Sequence, residues 1–260
     1  MSNIEQPPVV SRQEWLAVHQ QHLLQEKEMT RLRDRLRTSR RALPWVKIDK
    51  EYVFDSHEGT KTLAELFEGR SQLIMKHFMF GPGWQEGCVG CSFEVDHIEG
   101  ALVHLEHHDV TFVAVSRAAL AEIEAFKRRM GWRFKWVSSS GSDFNYDFHV
   151  SFSPEQIATG QVFYNFTLQP FQCEELSGLS VFYKDAHGDV FHSYSAYGRG
   201  AEEILGTYML LDLTPMGRNE TGPNFNLTDW VRHHDRYDAG GLVESTGRYR
   251  SADEPDSCCG

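Results

Sequence analysis

The stretch SQLIMKHFMFGPGWQEGCVGCSFEV, residues 71–95, decides how this chain is read. Residues 71–80 are an apolar run of strand length. A Gly/Pro-rich connection follows, and then two thiols, Cys88 and Cys91. Beyond them Val95, Ile98, Ala101, Leu102 and Leu105 recur at helical spacing, which predicts a helix over residues 93–105. A Cys-x-x-Cys pair on the first turn of a helix puts two sulfurs on one side. There the backbone N–H groups and the helix dipole favour a thiolate on the first of them. Such a pair can exchange a disulfide or hold a soft metal ion.

Downstream, DVTFVAVS (109–116) reads as a buried strand, residues 118–130 as a helix and 132–138 as a strand. This βαβαβ alternation predicts a mostly parallel sheet with helices on both faces. Residues 178–183 and 190–195 form a predicted hairpin across DAHGD (185–189), and residues 200–211 a final helix. Residues 144–152 read as irregular or extended. Upstream, residues 46–54 read as strands around a turn and 62–67 as a short helix. Ser11 and Glu14 make a capping box before a long amphipathic helix, residues 15–41, which ends ahead of Pro44 and is strongly basic from 31 to 41. That basic face is either solvated or a docking arm for an acidic surface, such as a second subunit. Residues 239–260 hold few apolar side chains and are expected to be a mobile tail. The expected organisation is a helical arm (1–41), a central domain (42–215) and a C-terminal extension (216–260).

With 40% apolar and 12% aromatic residues in 260, the chain can bury a substantial core. Its formal charge of -11 argues against nucleic acid or an anionic membrane as a partner. No apolar stretch reaches the ~18 residues of a membrane span, and residues 1–10 do not have the pattern of a secretory signal. The cytoplasm is the expected location. The five cysteines, Cys88, Cys91, Cys173, Cys258 and Cys259, are odd in number and sparse, unlike a secreted disulfide framework.

Several strings carry a more specific resemblance: RRALPWVKIDKEYVF (40–54), TLAELFEGRSQLIMKHFMFGPGWQEGCVGCS (62–92), FNYDFHVSF (144–152), GLSVFYKD (178–185), HSYSAYGRG (192–200) and TYMLLDLTPMGRNE (207–220). On these the chain resembles the thioredoxin-like family called domain of unknown function 899. The resemblance implies an α/β thioredoxin-like fold, a central mixed sheet with helices on both faces, here with a long N-terminal helix and a C-terminal extension. It implies little about the reaction, because fold does not fix function. Two departures from thioredoxin stand out. Val89-Gly90 separates the cysteines, and by pattern Ser180 stands where thioredoxins carry a cis-proline beside the disulfide.

Three functional readings stay open at this point. In the first, the chain is a thiol–disulfide oxidoreductase acting on a thiol/disulfide substrate or small molecule, with Cys88 as nucleophile and Cys91 as resolving thiol, and it needs no cofactor. Oxidation of Cys88 to a sulfenic acid that condenses with Cys91 is a variant of it. In the second, Cys88, Cys91 and His192 bind Cu(I) in a carrier or oxidase, as the similar copper chaperones of the Sco type imply; two thiolates and an imidazole suit that soft ion. In the third, the domain is a non-catalytic binding module. Tyr146, Tyr194, Tyr197 and Arg199 are expected to line a cleft that orients an anionic substrate, and His149 is a further candidate ligand or proton carrier. His104 and His108 have the spacing of a Zn pair, although histidines including His107 also suit a helix end. Cys173 reads as an ordinary semi-buried thiol, and Cys258-Cys259 as the end of the tail. A homodimer through the N-terminal helix is expected.

Overall fold

The computed structural model describes residues 7–170, 173–218, 230–244 and 246–251. The chain divides into two units, residues 1–45 and 46–260. The first holds α1 (Arg12–Arg41), begun by the predicted capping box: Ser11 Oγ faces Glu14 N, and the Glu14 carboxylate accepts from Ser11 N at 2.9 Å. None of its residues is buried, and Trp15, Val18, Leu24, Met29 and Leu36 are exposed along it.

The second unit runs β1 (Val46–Lys47), β2 (Val53–Ser56), β3 (Gly59–Thr62), a 3-10 turn (Glu65–Phe67), β4 (Gln72–His77), α2 (Val89–Asp96), α3 (Leu102–His107), β5 (Val110–Ser116), α4 (Leu120–Met130), β6 (Lys135–Ser138), α5 (Phe144–Asp147) and α6 (Pro154–Ala158). There follow β7 (Val162–Tyr164), β8 (Thr167–Gln169), β9 (Gly178–Lys184), β10 (Val190–Tyr197), a second 3-10 run (Gly198–Ile204), α7 (Gly206–Leu211), β11 (Leu242–Val243) and β12 (Tyr249–Arg250).

Eight strands form one mixed sheet in the order β1-β10-β9-β4-β5-β6-β2-β3. β4, β5 and β6 are parallel, with Gln72 opposite Val110 and Val113 opposite Lys135. β9 runs antiparallel to β4, and β10 antiparallel to β9. A central parallel run extended by an antiparallel hairpin, with helical crossovers between the parallel strands, is the thioredoxin-like fold. Every residue of β5 is buried, as a strand covered on both faces requires. α4 turns Ile123, Phe126 and Met130 inward and ends at Gly131, whose φ of 68° is the left-handed conformation of a helix stop. The β9–β10 turn is closed by Asp185, whose Oδ1 accepts from the N–H groups of His187 and Asp189, both at 2.9 Å.

The sheet separates two cores. One holds Phe78, Phe80, Phe112, Phe126, Trp132, Trp136 and both Cys88 and Cys91. The other holds Phe54, Phe67, Leu73, Met75, Val113, Phe144, Phe148 and Phe182. Alternation along β4 sends Ile74 to the first core and Leu73 and Met75 to the second.

The structure corrects several expectations. The helix predicted over residues 93–105 is two helices, because the chain turns at residues 97–101, where Ile98 N–H bonds Val95 O and Ala101 N–H bonds Ile98 O. The two strands predicted around a turn in residues 46–54 do not pair: β1 lies beside β10 and β2 between β6 and β3, at opposite ends of the sheet. The final helix is a 3-10 run followed by α7, and residues 144–147 are helical. Within the expected tail, β11 and β12 pair, Leu242 with Arg250 and Val243 with Tyr249. Cys258 and Cys259 lie outside the described residues.

Phe182 is fully buried at the sheet centre against Phe148 and Phe144. Phe182→Ala is expected to destabilise the fold by about 3–5 kcal/mol, read as a lower urea midpoint with an unchanged denaturant slope.

Candidate functional site

The strand-to-helix passage sets the position of the first thiol. Gly87 sits so close to two rings that a Cβ there would lie 2.5 Å from Phe78 Cε1 and 2.9 Å from Phe126 Cε1, so only glycine fits. Cys88 N–H then bonds Met79 O at 2.9 Å, which ties the head of α2 to the chain leaving β4. Cys88 is the N-cap of α2 and Cys91 lies in its first turn; they are 5% and 2% exposed, and both are reduced.

The two sulfurs sit in opposite environments. The Cys91 thiol hydrogen-bonds Cys88 and pulls the pKa of Cys88 down. Burial opposes this, and the N–H groups of Cys91 and Gly90 add to the lowering. Burial pushes Cys91 well up, and its donation to Cys88 adds to that. Met79 N–H also reaches Cys91 Sγ, at 3.5 Å.

Beside Cys91 lies a buried ion pair that the sequence reading missed. Lys76 of β4, completely enclosed, pairs with Glu94 of α2, 4% exposed, and Lys76 Nζ reaches Ser177 Oγ at 3.4 Å. Burial alone would lower the lysine pKa, but Glu94 and the neighbouring Cys91 outweigh it and the pKa is raised. The charge of Lys76 in turn favours a thiolate at Cys91, without overcoming burial. The available signal was a lysine inside an apolar strand and a glutamate on a buried helix face, both rare without a partner.

The loop before α2 is braced from two sides. Arg117 Nε donates to Glu175 Oε1 at 2.6 Å, and its guanidinium also bonds the Tyr146 hydroxyl. Glu175 is buried, which raises its pKa, and it accepts from Ser151 Oγ at 2.7 Å. A Cβ on Gly81 would lie 3.1 Å from Trp84 Nε1 and 3.2 Å from Glu175 Cγ, so loop and carboxylate pack directly. On the other side Glu86 accepts from Arg129 and Arg236, and His233 Nε2 lies 2.9 Å from Gly87 O. Finally, Gly247 lies against Cys88: its O accepts from Val89 N–H at 2.9 Å, and a Cβ on it would lie 2.5 Å from Cys88 Sγ.

The other sequence candidates are elsewhere. His192 packs its ring on Phe148 and Phe182 in the second core, and its Nε2 bonds Ser195 Oγ at 2.7 Å. Ser195 meets Ser180, and Ser180 meets His77 Nε2, each at 2.8 Å. His77 is enclosed, which holds its pKa down at about 3. Ser180 therefore does not take the place beside the cysteines: it is in mid-strand on the second-core face, opposite Met75, and Ser177 is the serine that reaches the cysteine side through Lys76. Among the described residues no group of three or more His, Cys, Asp or Glu side chains is placed to hold a metal ion. His104, His107 and His108 are exposed, His149 is exposed with its ring against Phe163, and Cys173 is half-buried. Tyr146 is engaged by Arg117, Tyr197 donates to Phe148 O at 3.1 Å, Arg199 pairs with Glu202 at 2.8 Å, and Tyr194 is half-buried on β10.

Fold and site together define a thioredoxin-like protein with a reduced cysteine pair at the head of a helix. The chain belongs to the family described as "Bacterial protein of unknown function (DUF899)", whose pattern matches residues 4–237. No curated protein matches it. Similar solved structures include the peroxidoxin BcpB of Mycobacterium tuberculosis (12% identity, 64% of this chain and 95% of that one, TM-score 0.42). Others are peroxiredoxin Q of Xanthomonas campestris (12% identity, 60% and 85%, TM-score 0.42) and a putative protein disulfide isomerase of Bacteroides thetaiotaomicron (16% identity, 64% and 87%, TM-score 0.38). Among the described residues no helix is long and apolar enough to cross a membrane.

Two outcomes follow from the electrostatics. Thiolate ultraviolet absorbance should show one group titrating below the ~8.5 of a free thiol and absent in Cys88→Ser; as pH falls through that point Cys88 protonates and its reactivity drops. Lys76→Met, which strands the Glu94 carboxylate, should cost about 3–5 kcal/mol in urea unfolding, and Lys76→Met/Glu94→Leu should recover most of that loss.

Proposed function

We propose that the protein is a thiol–disulfide oxidoreductase of the reducing cytoplasm, in which Cys88 attacks and Cys91 resolves. The observation that carries this reading is the opposite environment of the two sulfurs: Cys88 is held toward the thiolate and Cys91 toward the thiol. The Cys88 thiolate attacks one sulfur of a substrate disulfide. The substrate S–S bond breaks, its second sulfur leaves as a thiolate, and a mixed disulfide forms. Cys91 then gives its proton to the departed substrate thiolate and attacks Cys88 Sγ, releasing the remaining substrate thiolate and leaving a Cys88–Cys91 disulfide. Two electrons have passed from the pair to the substrate. Once Cys88 is bonded to substrate it no longer repels a second negative sulfur, and the Lys76 ammonium supports the Cys91 thiolate. Lys76 and Glu94 are thus positioning residues for the resolving step.

No metal takes part in this scheme. His192, the expected third ligand of a copper site, is engaged with Ser195 in the second core.

Cys88→Ser is expected to abolish exchange with a model disulfide, and Cys91→Ser to accumulate the mixed disulfide, visible by mass spectrometry. Wild-type protein should yield one reversible intramolecular disulfide. Full exchange activity in Cys88→Ser would overturn the assignment.

A further inference from the structure

The reactive sulfur is not open to a substrate in this conformation. Gly247 is buried on Cys88, and a Cβ added to it would lie 2.5 Å from Sγ and 3.6 Å from Cys88 Cβ. A second sulfur bonded to Cys88 Sγ would stand at about 2.05 Å; on that side it would have to occupy the volume the backbone at Gly247 already fills. Reaction there requires the segment to leave.

What the site offers this segment is what it would offer any extended polypeptide. Val89 N–H, free at the first turn of an eight-residue helix, donates to a backbone carbonyl, that of Gly247. The residue over the sulfur presents no side chain. Its neighbour Arg248 lays its guanidinium over the Trp84 ring, 5.2 Å from the centroid. We propose that residues 246–250 occupy the substrate's place at Cys88, and that the substrate is a polypeptide disulfide whose backbone carbonyl takes over the hydrogen bond from Val89 N–H when the segment swings away. The substrate part of this proposal rests on the exchange reading above; the cap does not.

The segment is built to release. β11 and β12 pair through two residues each, Leu242 with Arg250 and Val243 with Tyr249, and so short a hairpin is marginal by itself. Its anchor is Tyr249, which lies 5.9 Å from the His233 ring, carries Arg236 at 4.9 Å and donates to Gly240 O at 2.8 Å. His233 and Arg236 also hold Gly87 and Glu86, immediately before Cys88, so one polar network carries both the cap and the loop it covers. Val243 and Tyr249 also pack on a small cluster of Val89, Phe93, Tyr208 and Val231, separate from the two cores beside the sheet, and a two-residue hairpin on so small a cluster opens at lower cost than the sheet. The φ of Gly247, 84°, suits glycine, so a side chain at this position is opposed both by its backbone and by the sulfur.

The test uses the full-length reduced chain and two probes: iodoacetamide, whose attachment at Cys88 is followed by mass spectrometry, and oxidised glutathione, a small peptide disulfide. Gly247→Val should lift the cap and speed both alkylation of Cys88 and its reaction with oxidised glutathione, read as glutathione released while the Cys88–Cys91 disulfide forms, by about tenfold or more. Arg248→Ala, which only loosens the cap over Trp84, should speed both by a smaller factor and covers the case in which Gly247→Val fails to fold. Alkylation of Cys88 at the wild-type rate in both variants overturns the cap. Alkylation that rises while none of the three proteins releases glutathione or gains a Cys88–Cys91 disulfide supports the cap and overturns the exchange reading and the polypeptide substrate with it.

Discussion

The buried pair Lys76–Glu94 is the constraint on which the site depends. It joins the central strand β4 to α2 across the core, and it is a full charge pair enclosed at 0% and 4% exposure. Burying two charges is costly, and their attraction offsets the cost only while both stay in place. The pair therefore fixes the rotation and depth of α2 against the sheet. With α2 fixed, Cys91 is set beside the lysine and Cys88 at the N-terminal end of the helix dipole. The Gly87 contact with Phe78 and Phe126 fixes the same junction from the other end. Strand, loop and helix head thus form one rigid unit, and the two thiols inherit their difference from it.

That difference is more than a matter of exposure, since both sulfurs are buried. The Cys91 thiol and the N–H groups of Cys91 and Gly90 favour the thiolate of Cys88, whereas Cys91 donates to Cys88 and, among the described residues, accepts only from Met79 N–H. Burial raises the pKa of any thiol, so the asymmetry lies in hydrogen bonding, and hydrogen bonding follows from position in the helix. Exchanging the two roles would require reversing the helix.

Much of this was legible in the sequence. The β9–β10 hairpin follows from alternation on both sides of a turn closed by Asp185, and α1 from its capping box. β4, β5 and α4 carried long single-period patterns. What failed depended on distant partners. Val46 and Val53 lie seven residues apart and read as neighbours, yet β1 and β2 are separated by five strands, because β1 pairs with β10 and β2 with β3 and β6 rather than with each other. Ser180 was given the place beside the cysteines from its offset along a strand, where an error of one residue exchanges the two faces. The partners that hold Tyr146, Tyr197 and Arg199, namely Arg117, Phe148 and Glu202, were likewise not legible from local sequence.

The sheet also explains why the copper reading and the exchange reading part company. His192 is on a strand two places from β4, and a bulge between His192 and Tyr194 resets the side-chain alternation along β10. Its ring faces Phe182, and a chain of hydroxyls, Ser195 and Ser180, connects it to His77 within the second core. To reach Cys88 or Cys91 the imidazole would have to pass through β4 and β9, whose backbones are hydrogen-bonded to each other along the whole of β4. A side-chain rotation cannot do this. A copper site on the pair would therefore need a ligand other than His192, whereas exchange needs only the two thiols that α2 already holds together.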